Sequence, residues 1–317
     1  MQPLCRQAQS LCRQEEVQPV QPLQSLRGEA QSLCCQEPLC RQESLQTHVS
    51  LASGIKRAGS CRPVFFATLT ARTHFNGDSR RKGLLMDLNG LPRDRLQRMA
   101  EAGDRITECL RVLKKTDDNI VGEVLKGQGT FYEYDHYPPG DVFDPASASQ
   151  YYYHAHRTGE HGHFHTFLRA AGMTKGMAPV EQSHATYMDE REDKLSHLIA
   201  ISMDNAGVPI GLFTTNRWVT AENWYAAEDV IAMIDRFEMD MVPPSWPVNI
   251  WLTAILQLFQ PQIAKLVEQR DRAIRDWQFE HMGSDVFEDR GLEITSEIPI
   301  SVAEQILAVD VALSKGG

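Results

Sequence analysis

Five of the chain's 11 histidines fall within twelve positions: His154, His156, His161, His163 and His165. Neutral imidazole is a ligand for divalent transition metals, so spacing decides whether these rings can share an ion. The alternation predicts a strand over Tyr151 to Arg157, a tight turn, and a second strand over His161 to Leu168. Gly159-Glu160 then forms a two-residue hairpin loop with glycine first, the type II′ preference. That register sets His156 opposite His163 and His154 opposite His165, and period-2 alternation sends all five rings to one face. Opposed Cβ atoms in such a pair lie roughly 4.5–5.5 Å apart, and metal–nitrogen bonds are about 2.0–2.1 Å. His154, His156, His163 and His165 are therefore the candidate metal ligands, while Phe164 and Leu168 face a core.

The donor set suits Fe, Mn, Zn or Ni without choosing among them. With three side chains bound, an open position gives hydrolytic or oxygenase chemistry on a small-molecule substrate. Glu160 and His161 are the candidate catalytic groups beside the metal. Arg217, next to Trp218, is a third, since a guanidinium holds a carboxylate or phosphate in a bidentate fork. His136 and Asp135 would reach the site if their strand pairs with the hairpin. His184 and His197 read as ordinary surface or capping residues. Two other readings use the same residues: a non-catalytic surface that binds a small molecule or partner, and a structural metal fully ligated by four histidines.

The elements that must carry this hairpin can be read on either side of it. Pro92 suits a first helical turn, and Leu96, Met99, Gly103, Ile106, Leu110 and Leu113 keep the helical period. A short helix spans Asn119 to Lys126. Phe131 to Tyr137 reads as a strand stopped by Pro138-Pro139-Gly140. His197 to Asp204 and Ile210 to Asn216 read as strands joined at Asn205-Ala206-Gly207. Thr220 is the expected cap of a helix presenting Trp224, Ala227, Ile231 and Ile234. Val248 to Trp277 reads as a long, mostly buried helix kinked at Pro261. Glu288 to Pro299 is extended, and Ser301-Val302-Ala303-Glu304 is a capping box opening a last helix. Two helices, a run of antiparallel strands with hairpins, then helices: the order predicts an α+β fold with helices on one face of the sheet.

Charge separates the chain into two kinds of sequence. Residues 1–82 hold 11 of the 32 basic and 6 of the 42 acidic residues, leaving 21 basic and 36 acidic beyond them. So acidic a body argues against a nucleic-acid partner, which needs a basic face. Six of the 7 cysteines lie in the first part, in degenerate repeats such as Leu4-Cys5-Arg6-Gln7 and Leu11-Cys12-Arg13-Gln14. This low complexity, broken by Pro3, Pro19, Pro22 and Pro38, predicts a disordered leader over residues 1–85 and one domain over 86–317. The leader is expected to lie outside the native gene product, with Met86 the native start. One cysteine in the body fits a reducing cytoplasm, and the apolar run from Ile250 to Phe259 is too short for a membrane span.

From about Gly90 onward the chain is similar to an uncharacterised bacterial family known only as a domain of unknown function. The stretches that carry the similarity are Tyr151 to His156, Glu160 to His165, Leu212 to Thr220 and Phe287 to Glu293. The resemblance implies a bacterial origin and leaves the leader outside the domain. His154-x-His156-x3-Glu160 also resembles the first half of the cupin metal motif, in which two histidines and a glutamate come from adjoining strands. Ala148 stands where that motif has glycine, and its second half is absent.

Overall fold

The chain divides into a unit of Met1–Thr70 and one of Ala71–Gly317. The computed structural model describes residues 86–180 and 194–315, all within the second unit. The expected leader over 1–85 and His184 lie outside the described residues.

Helix α1, Arg93–Leu113, buries Leu96, Met99, Ala102, Ile106 and Cys109 along the stripe that the 3.6-residue period requires. Asn119 caps α2, Ile120–Leu125, by accepting the Gly122 N–H at 3.0 Å. Six strands follow: β1 Tyr137–Asp144, β2 Ser149–His154, β3 Gly162–Arg169, β4 Leu195–Met203, β5 Pro209–Thr215 and β6 Ile294–Pro299. They lie side by side in chain order, and every neighbouring pair is antiparallel. Between β5 and β6 come α3 Arg217–Thr220, α4 Ala227–Ile234, α5 Trp246–Leu258 and α6 Gln260–Glu280; α7, Val302–Lys315, closes the chain. The expected α+β class and antiparallel sheet are what the structure has.

One face of the sheet carries Tyr151, Tyr153, Phe164, Ile199, Ile201 and Leu212 into the main hydrophobic core. The Tyr151 hydroxyl donates to Asn249 Oδ1 of α5 at 2.8 Å, and the Phe164 ring lies 5.8 Å from that of Trp251. Helix α1 packs outside α5 and against α7, where Gly103 lets Ile306 approach: a Cβ there would sit 2.9 Å from Ile306 Cγ1. The helices thus cover one face, and the histidines occupy the other.

Three local expectations are corrected. Residues 131–136 are loop and turn, and β1 starts only at Tyr137 and runs through Pro138 and Pro139. As the edge strand, β1 tolerates residues that cannot donate to a ladder, and its register with β2 shifts between Tyr137 and Val142. Thr220 ends α3 rather than capping the next helix; the α4 N-terminus is served by Asp271 of α6, whose Oδ2 accepts the Ala227 N–H at 2.8 Å. The long helix expected over Val248 to Trp277 is two helices, α5 and α6, bent by 72° around Phe259, just before Pro261. No single helix among the described residues is long and apolar enough to cross a membrane.

Candidate metal centre

The hairpin pairs His154 with His163 and Tyr152 with His165, two residues out of the expected register. Strand β2 ends at His154, and Ala155 to His161 form a seven-residue loop in place of the Gly159-Glu160 turn. A one-residue slip would have reversed the faces, but a two-residue slip preserves them. His154, His163 and His165 therefore share one face, with Tyr152, Phe167 and Phe213 around them. The loop keeps Gly159 at φ 93°, a value glycine tolerates, and turns Glu160 inward rather than to solvent.

Three of the four expected ligands come together. One ring nitrogen each from His154, His163 and His165 lies within 4.8 Å of the others, and all three residues are buried. The Nε2 atoms of His154 and His163 are 2.7 Å apart, so one ring donates to the other. Glu160 Oε1 accepts a short hydrogen bond from His163 Nδ1, which directs that ring's Nε2 at His154. The fully buried His165 meets His197 Nε2 through Nδ1 at 3.0 Å, leaving its own Nε2 without a partner. His156 sits on the loop with its ring 4.8 Å from His154 and 5.0 Å from His163, beside the trio and outside it.

Burial sets the protonation of the cluster. Desolvation, helped by neighbouring imidazoles, holds His154 down to about 2 and His165 well below the usual histidine range. His163 is also lowered by burial, against the pull of Glu160. Burial alone would raise Glu160, but hydrogen bonds from His163 and Ser202 and the charge of Arg157 outweigh it and hold the carboxyl below its ordinary value. At neutral pH the three rings are neutral, the state a metal ligand requires, and the carboxylate behind one of them is charged. A carboxylate on the far nitrogen of a ligating histidine fixes its tautomer and raises its basicity.

The remaining expected residues fall elsewhere. His161 does not share the histidine face: its Nδ1 meets the hydroxyl of core-facing Tyr153 at 2.7 Å, and its ring stacks 5.6 Å from Phe131. Arg217 is buried under Phe287 at 5.3 Å and paired with Glu288 at 2.6 Å and Asp285 at 3.5 Å, the structural salt bridge that an arginine in this setting can also be. Asp135 is exposed. Two more groups belong to the neighbourhood: His197, expected at the surface or at a cap but buried, and Glu222, which sequence reasoning did not single out. A bulge at Leu198, between the Thr166–Ile199 and Phe167–His197 pairs, carries His197 onto the histidine face. The His197 backbone N–H donates to Glu222 at 2.6 Å, and burial pushes that carboxyl up to about 7. No local pattern announces a bulge or a carboxylate reached from 25 residues away.

A family model described as a domain of unknown function (DUF6969) matches residues 100–300. The chain belongs to this family. The matched span contains the whole histidine hairpin, His197 and Glu222. No curated protein and no solved structure matches the chain.

Proposed function

We propose that this family member is a metal-dependent enzyme, hydrolytic or oxygenase-type, in which His154, His163 and His165 hold one divalent transition ion. The observation that carries the reading is the convergence of three buried neutral imidazoles, one of them with an orphaned Nε2 and another backed by Glu160. An unpartnered nitrogen buried in protein is costly, and a metal bond is one way to satisfy it. Three protein ligands leave a coordination position for a reactant, the arrangement of catalytic rather than structural sites. When bound, the ion supplies Lewis acidity; His197 and Glu160 orient two of its ligands. Glu160 is the candidate proton acceptor: its second oxygen lies 3.7 Å from Arg157 Nη1, and both residues line a cavity of about 410 Å³. Fe, Mn, Zn and Ni all accept this donor set.

The acidic body favours a small-molecule substrate over nucleic acid, and Cys109, free and buried, fits a reducing cytoplasm. The proximity of His156 supports a second reading, a closed four-histidine structural site. Full-length protein purified without a histidine tag should bind one equivalent of metal at neutral pH under reductant, measured by mass spectrometry after dialysis. His163→Ala should abolish stoichiometric metal. His156→Ala should retain it in the three-ligand site and lose most of it in the four-ligand one. Wild-type protein with no metal above background would overturn both.

A further inference from the structure

The face of the cluster nearest β1 holds one more imidazole, that of His136, in a hydrogen-bonded setting that nothing in the metal reading requires. Arg169 Nε donates to Gln150 Oε1 at 2.7 Å, Gln150 Nε2 donates to Asp141 Oδ2 at 2.7 Å, and Asp141 Oδ1 accepts from His136 Nδ1 at 2.9 Å. A carboxylate only accepts, so His136 Nδ1 carries the hydrogen, and in the neutral ring Nε2 is left as an acceptor. Three strands contribute to this relay, which fixes the ring's tautomer. The ring itself lies flat on Tyr152, centroids 3.6 Å apart and planes within 9°, and meets His154 edge-on at 5.5 Å. Its Nε2 has no protein partner among the described residues, and the side chain keeps 41% of its exposure. A cleft of about 550 Å³ opens beside it, bounded by Gln128, Thr130, Tyr132 and Asp135.

We infer that His136 is a ligand-binding residue of the centre: its Nε2 accepts a hydrogen bond from a reactant that enters by this cleft and carries an N–H or O–H donor next to its metal-binding atoms. Hydroxamates, hydroxy acids and amides fit that description; bare anions do not. Asp141 is the positioning residue that makes Nε2 an acceptor. The inference rests on His154, His163 and His165 holding a metal.

The test uses full-length protein loaded with Co(II), whose visible bands report on bound ligands, titrated at pH 8 with acetohydroxamic acid and separately with azide. His136→Phe keeps a ring on Tyr152 without the nitrogen. It should leave Co(II) content and azide affinity unchanged and weaken acetohydroxamate by about fivefold to tenfold, one lost hydrogen bond. Asp141→Asn offers Nδ1 a donor in place of the carboxylate, favouring the tautomer in which Nε2 donates, and should produce the same selective loss. Equal binding of both probes by His136→Phe and wild type, parallel losses for both probes, or no response of the wild type to acetohydroxamate would overturn the inference with the metal reading intact. Failure of the wild type to take up Co(II) would instead remove the metal reading, and this inference with it.

Discussion

Glu160 shows how one side chain can have two structural meanings that sequence spacing does not separate. In a two-residue turn it would face solvent; here its carboxylate is buried against His163 Nδ1, with Arg157 Nη1 3.7 Å from its other oxygen. The charged partner strengthens the hydrogen bond and fixes the ring's tautomer and orientation. Glu160→Gln keeps the size and loses the charge, so metal affinity should fall about 10–100-fold, measured by competition with a chromophoric chelator. An unchanged affinity would show that His163 needs no carboxylate behind it. His161, two positions before His163, illustrates the opposite outcome: alternation placed it on the histidine face as a candidate catalytic group, and its bond to Tyr153 takes it to the core side.

The hairpin is the element on which the site depends, and Gly162 is a position in it with no room for a side chain. A Cβ at Gly162 would lie 2.6 Å from the His154 carbonyl oxygen and 2.6 Å from the Tyr153 hydroxyl. Neither is the free end of a flexible side chain: the carbonyl belongs to β2, and the tyrosine is fully buried. Gly162→Ala should therefore cost about 1–3 kcal/mol in urea unfolding, by forced displacement in a packed region. Gly90→Ala, with nothing within 4 Å of its added Cβ, should stay within about 0.5 kcal/mol of wild type. Equal effects at the two positions would mean that the hairpin does not close this tightly. The close approach also explains the long loop. With β2 ending at His154 and β3 starting at Gly162, the intervening residues are free to fold Glu160 back onto the rings.

At the scale of the molecule, the sheet puts a polar, titratable layer where burial makes protonation costly. His154, His163, His165 and His197 are all lowered, chiefly by desolvation, with His154 near 2 and His197 near 3. The unfolded chain takes up protons on these residues below about 6.5 and the folded chain does not, so the stability they permit is present above that pH and lost as pH falls. Glu222 works the other way. Raised to about 7, it keeps its proton in the folded state while the unfolded state gives it up above about 4.5, so its contribution declines as pH rises through that window. The three imidazoles held furthest down, His154, His165 and His197, outweigh one carboxyl. Metal-free protein should lose about 2 kcal/mol of unfolding free energy between pH 6.5 and 5.5, a sizeable fraction of the roughly 5–15 kcal/mol typical of a domain. Denaturant titrations in the presence of chelator would show it, and a flat profile from pH 7.5 to 5.5 would count against neutral buried rings.

What the sequence determined by itself was local and periodic. Alternation placed His154, His163 and His165 on one face, because any even shift of register leaves a period of two intact, and it failed for His161, which lies in the loop before β3. The helical stripe of α1, the short helix at Asn119 and a bend near Pro261 were legible for the same reason: each depends on residues within a few positions. Only the tertiary structure decided which histidines oppose each other, that a bulge at Leu198 brings His197 to His165, and that Asp141, Gln150 and Arg169 from three strands hold His136. Pairing partners and bulges are selected by the packing of whole strands against their neighbours and the helices beneath them. That energy is spread over many long-range contacts, and no short stretch of the chain encodes it.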